Sequence, residues 1–146
     1  MQEIWKRSDL MGIKQYTIGK SWEQQIMDYY SKRNYFAYKF PTEFGGTICD
    51  IIIARGGSCL FIEAKHIIGT KLYYKGSGIY KKRDELDNFV KKYNCNIYIM
   101  IKSDKLGCYW TTWVRSKDTF EKQGYLDLEK DCFKADLEIH NEDSIK

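Results

Sequence analysis

The sequence predicts an α/β sandwich in which helices flank a central mixed β-sheet. Three observations carry the prediction. The patterned segments run in the order α-β-β-β-α-β-β, as expected for helices layered on a sheet. Two central runs, Ile51-Ile52-Ile53 and Leu60-Phe61-Ile62, are apolar on both faces, which suits strands covered on each side. Two further segments carry an apolar stripe on one face only, the mark of helices packed against a core.

Taken in order, residues 1–18 show no clear period and read as an N-terminal arm; Met11-Gly12 resembles an alternative start. Ser21-Trp22-Glu23-Gln24 is a capping box, in which the Ser21 hydroxyl and the Gln24 side chain satisfy helix N-terminal amides. The helix runs to about Arg33-Asn34, with Trp22, Ile26, Tyr29 and Tyr30 as its stripe. Residues 35–40 read as a strand and residues 41–46 as a loop. Residues 47–55 and 58–66 form a hairpin around Gly56-Gly57, because both central residues of a type I′ turn need positive φ. Residues 67–78, rich in glycine, lysine and tyrosine, read as a mobile loop. Residues 80–93 form a second helix, with Leu86, Phe89 and Val90 inside, Lys81, Lys82, Arg83, Lys91 and Lys92 outside, and Asn94 ending it. Residues 96–102 and 108–114 are strands joined by a turn at Lys105-Leu106-Gly107. Tyr109, Trp110 and Trp113 serve the sheet core or a contact between copies. Ser116 is placed to cap a short helix over residues 117–122, and the acidic remainder is expected to cover a sheet edge.

The 146 residues fit one domain with a sizeable core, read as a main body over 19–126 and an acidic segment over 127–146 packed on or trailing it. No apolar run reaches the roughly 18–20 residues that cross a bilayer, and no signal peptide is visible at Met1-Gln2-Glu3, so a cytoplasmic location is expected. Five cysteines without Cys-x-x-Cys spacing and two histidines speak against zinc and for reduced thiols. The net charge of +4 is unevenly spread: residues 127–146 hold seven acids and three lysines, so residues 1–126 carry +8. A basic body suits a polyanionic partner, although charge alone equally fits an ordinary solvated surface.

The chemistry concentrates in residues 50–65. With Arg55 facing Ser58 across the turn, Asp50 falls opposite Glu63. Period-two alternation puts Asp50, Glu63 and Lys65 on one face. Two opposed carboxylates in an apolar hairpin are costly to bury without a cation. Asp50 and Glu63 therefore read as hard-oxygen ligands for Mg²⁺, with the Ala64 carbonyl as a further donor and Glu23 completing the shell directly or through water. Lys65 is placed to position or deprotonate a water, or to stabilise transition-state charge. The plainer alternative is an Asp50–Lys65 ion pair with a solvated Glu63, and Glu23 as a favourable charge at a helix N-terminus.

Asp50, a hairpin and then Glu63-Ala64-Lys65, preceded by the helix glutamate Glu23, resembles the core of the PD-(D/E)xK nucleases, a superfamily with a restriction-endonuclease-like sandwich. Cys49 stands where proline often precedes the aspartate. The further order Gly19-Lys20-x-x-Glu23, strand, Pro/Gly/Thr loop, Asp50-Ile51-Ile52, Glu63-x-Lys65, basic helix and apolar strand is most similar to Holliday-junction resolvases, archaeal and of the bacterial RecU type, over residues 19–115. Two departures stand out: no long stalk insertion is visible, and Asp84 or Glu85 falls where many relatives carry a helix glutamine. The resemblance implies a homodimeric, metal-dependent endodeoxyribonuclease, using Mg²⁺ with Mn²⁺ able to substitute, that nicks branched DNA in recombination or repair. It implies that Lys20, Lys39, Thr42 and Thr47 flank the scissile phosphate, and that Lys71, Lys75, Lys81, Lys82 and Arg83 hold the DNA backbone. Competing readings are another nuclease on the same core, such as a restriction-like endonuclease or exonuclease, and a non-catalytic DNA-binding module.

Overall fold

The computed structural model describes residues 22–40 and 49–135. Helix α1 covers 22–31, followed by β1 (Phe36–Lys39), β2 (Ile51–Arg55), β3 (Ser58–Ile67) and β4 (Lys71–Tyr73). A 3₁₀ turn (Tyr80–Lys82) leads into α2 (Arg83–Tyr93). Then come β5 (Ile97–Ser103), β6 (Gly107–Thr112), α3 (Trp113–Gln123), β7 (Tyr125–Asp127), α4 (Leu128–Asp131) and β8 (Phe133–Lys134). Among the described residues the main sheet has six strands in the order β1-β2-β3-β5-β6-β8. β3 and β5 are parallel and the other neighbours antiparallel, which makes the sheet mixed, as the sequence predicts.

Alternation along the strands divides the core in two. Ile51, Ile53, Leu60, Ile62 and Met100 pack with Trp22, Ile26, Tyr29 and Tyr30 of α1. Ile97, Ile99 and Ile101 point the other way, onto Leu86 of α2 and Trp113 and Phe120 of α3. The indole Nε1 of Trp22 donates to the Met100 carbonyl at 3.0 Å, pinning α1 across the sheet. Gly56 and Gly57 have φ of 55° and 86°, the left-handed pair that a type I′ hairpin demands. The ladder pairs Arg55 with Ser58 and continues to Ile51 with Ile62, as the turn dictates.

Several local expectations are corrected. Residues 67–78 are not a mobile loop: β4 pairs with β7 as a second, two-stranded sheet, and Leu72 and Tyr74 are buried in the α2-side core. The pairing joins segments more than fifty residues apart, so no local pattern announces it. The second helix opens as a 3₁₀ turn before becoming α-helical at Arg83. β6 ends at Thr112, whose hydroxyl accepts from the Arg115 amide and caps α3; Ser116 lies inside that helix and donates back to the Thr112 carbonyl. The local Ser116 signal lost because an extended Thr112 already supplied the N-cap one turn earlier. Gln24 donates forward to Asp28 at 2.8 Å; the capping box turns on Ser21, which lies outside the described residues, as do the arm at 1–18 and residues 136–146. At the far edge, Phe133 of β8 pairs with Trp110.

Candidate active site

β3 presents Glu63 and Lys65 from one face. Ile62 and Ala64 turn into the α1-side core, so the residues between and beyond them project towards α2. Glu63 is only 3% exposed. A carboxylate buried this deeply requires compensating charge, and two ammonium groups supply it. Lys65 Nζ lies 3.1 Å from Glu63 Oε2. Lys82 Nζ lies 3.0 Å from Oε1 and 3.1 Å from Oε2, spanning both oxygens. Lys65 also donates to the Ser77 carbonyl at 2.7 Å, which fixes its head between β3 and the segment after β4. Lys65 thus pairs with Glu63 and not with Asp50, the partner assumed in the plainer sequence reading.

Asp50 stands one residue before β2. There the register slips: alternation from the Arg55–Ser58 pair makes Asp50 opposite Glu63 a non-hydrogen-bonded position, yet its amide donates to the Ile62 carbonyl at 2.9 Å. Its side chain then reaches across, and Oδ2 accepts from the Ala64 amide at 2.9 Å. The expected face-to-face opposition of Asp50 and Glu63 is therefore replaced by a local bulge that hooks the aspartate onto β3 beside the glutamate. Ala64 enters the site through this N–H. Burial, and next the Glu63 charge, push the Asp50 carboxyl up to about 6; the Ala64 N–H and Lys82 pull it down, and Glu23 adds to the rise.

Glu23 occupies the α1 side of the sheet. Its partner there is Lys39, 3.0 Å away, a residue paired with Ile51 of the α1-side core. Among the described residues no three His, Cys, Asp or Glu side chains stand close enough to share an ion. The protein-supplied oxygens thus centre on Asp50 and Glu63. Such a sparse set fits a small hard cation that keeps several waters, and burial, the largest cause of the raised Asp50 carboxyl, is a cost to its charged form that a divalent ion would offset.

The remaining basic candidates divide. Lys20, Thr42 and Thr47 lie outside the described residues. Lys71 and Lys75 sit over the rings of Tyr125 and Tyr80, at 4.7 and 5.0 Å. Arg83 stacks on Tyr80 at 3.8 Å and donates to its carbonyl, while Lys81 is exposed. Lys82, assigned from sequence to the outer face of the second helix, instead points into the site. The 3₁₀ turn rotates it away from its position on a regular α-helix. The one signal that anticipates it is the unmet charge demand of a buried Glu63 upstream of a basic run. Ser77 carries no such signal. Beside Lys65 opens a cleft of about 780 Å³, lined among others by His66, Gly69, Thr70, Lys71 and Ser77.

The Asp50 shift has a thermodynamic consequence. The folded-state value lies above the unfolded one, so between about pH 4 and about pH 6 the folded chain binds more protons, and stability falls as pH rises through that window. Asp50→Asn retains an acceptor for the Ala64 amide and removes the charge. The metal-free variant should therefore be more stable than the wild type at about pH 8, by about 1–2 kcal/mol after allowance for solvent screening, with the gap closing towards about pH 4. Thermal unfolding across that range checks this; a variant less stable than wild type at the alkaline end would contradict it.

The family model described as archaeal Holliday junction resolvase (Hjc) matches residues 14–144. No curated protein matches the sequence. Among solved structures, the chain is similar to that of Archaeoglobus fulgidus Hjc, a Holliday junction resolvase from an archaeal hyperthermophile. The identity is 17%, the alignment covers 82% of this chain and 96% of that one, and the TM-score is 0.58.

Proposed function

Because the chain belongs to the archaeal Holliday junction resolvase family, and is thereby a structure-selective junction-resolving nuclease, we propose that Asp50, Glu63 and Lys65 form its hydrolytic centre. The observation that carries the assignment is the buried Glu63 carboxylate, with Lys65 at 3.1 Å and the Asp50 carboxylate hooked onto the adjoining Ala64 amide. A nuclease of this family depends on a divalent metal, and we take the ion to be Mg²⁺, with Mn²⁺ able to substitute. Asp50 and Glu63 would hold it. When bound, it supplies Lewis acidity and lowers the pKa of an attacking water. Lys65 holds its ammonium beside the reacting phosphate, braced by Glu63 and the Ser77 carbonyl, where it can orient the water or balance charge on the phosphoryl oxygens. Glu23, tied to Lys39, steadies the α1 side of the site and is available to a water-mediated metal shell. The cleft beside Lys65 would receive the neighbouring backbone, with Lys71 in its lining and Lys75, Lys81 and Arg83 following along the chain.

Symmetric resolution needs two such centres, so the working unit is taken to be a homodimer on a four-way junction, acting in recombination or repair. No helix among the described residues is long and apolar enough to cross a membrane. The testing experiment offers a synthetic four-way junction and a linear duplex of equal length, with and without Mg²⁺. Paired symmetric nicks in the junction alone, and only with the metal, are expected. Equal cutting of both substrates would favour a restriction-like endonuclease or exonuclease, and binding without cutting a non-catalytic module.

A further inference from the structure

Lys82 approaches Glu63 in an unusual way for a surface lysine. Its ammonium bridges both carboxylate oxygens, at 3.0 and 3.1 Å, while Lys65 holds only Oε2. A divalent ion held by Glu63 would draw on the same carboxylate and compete with the Lys82 ammonium for it. Lys82 is also the less confined of the two ammonium groups. Lys65 has a second anchor in the Ser77 carbonyl, whereas Glu63 is the partner that holds Lys82, whose side chain is 27% exposed. It belongs to the 3₁₀ turn before α2, next to the exposed Lys81, so a released head has solvent and a basic neighbourhood to move into.

We propose that Lys82 is a built-in counter-cation of the metal site. In the metal-free protein it neutralises Glu63; the arriving divalent ion displaces it, and the freed ammonium engages a DNA phosphate. This rests on Asp50 and Glu63 being the metal ligands. It makes Lys82 a positioning residue that couples two binding events. Metal strengthens junction binding by releasing a cation to it, and by reciprocity DNA strengthens metal binding by capturing that cation.

The test titrates Ca²⁺ calorimetrically into DNA-free wild type, Lys82→Ala, Lys82→Gln and Glu63→Gln, and measures junction affinity with and without Ca²⁺. Removing the resident cation should tighten Ca²⁺ binding at least about fivefold, the lower end of ordinary coupling between linked sites, and should erase most of the Ca²⁺-induced gain in junction affinity. Two lysine replacements guard against one that fails to fold, with thermal unfolding as the check. Unchanged or weaker Ca²⁺ binding in both folded variants overturns the proposal, because a purely structural ion pair predicts no gain. Glu63→Gln separates the two levels. Loss of Ca²⁺ binding there supports the metal site itself, whereas wild-type affinity there refutes the ligand assignment and the Lys82 inference with it.

Discussion

Asp50→Asn and Glu63→Gln are each expected to slow junction cleavage by at least about a thousandfold while leaving junction binding intact. A divalent ion supplies several kcal/mol of transition-state stabilisation, and each 1.36 kcal/mol is about a factor of ten in rate. The amides keep the shape of the acids; Asp50→Asn keeps an acceptor for the Ala64 N–H, and Glu63→Gln keeps one of the two oxygens that accept from the lysines. They remove the negative charge that would hold the metal. Neither change deletes a cation, so contacts to phosphate should survive, and lowering the negative charge beside the DNA works in their favour. Single-turnover cleavage with Mg²⁺, set beside gel-shift binding without divalent ions, separates the two effects. Full activity in either variant sinks the assignment of that residue, and joint loss of cutting and binding points to a folding defect.

Junction binding should weaken steeply with salt. If the basic body contacts six to ten phosphates, raising monovalent salt from about 50 to about 200 mM should cost about 10³–10⁵ in affinity, because each neutralised phosphate releases a counterion. The structure refines which groups contribute. Lys39 and Lys82 are already paired with Glu23 and Glu63. Lys71, Lys75 and Arg83 lie over tyrosine rings, which hold their heads at defined places. Lys81 is exposed, so Lys81→Ala should reduce the slope by about one without changing sequence preference. Fluorescence anisotropy of a labelled junction in chelator, at several salt concentrations, gives the slope directly. A flat response would mean that phosphate contacts do not dominate the interface.

The sequence by itself determined the features that depend on neighbours along the chain. Gly56-Gly57 set the turn, the turn set the ladder from Arg55↔Ser58 to Ile51↔Ile62, and period two put Glu63 and Lys65 together on one face. The apolar runs 51–53 and 60–62 marked covered strands, and the stripe of Trp22, Ile26, Tyr29 and Tyr30 marked α1. Tertiary structure decided what depends on distant partners. The β4–β7 pairing turned an apparent loop into a hydrogen-bonded ribbon anchored in the core by Leu72 and Leu126. The slip at Asp50 replaced direct opposition by a hydrogen bond to Ala64, because a strand end is free to leave its ladder when a side chain gains a better acceptor role. The burial cost of Glu63 was legible as a demand for positive charge. Which group meets that demand was not, since a helix assumed regular from Tyr80 onwards points Lys82 outwards, and only the 3₁₀ turn packed against β3 brings its ammonium onto the carboxylate.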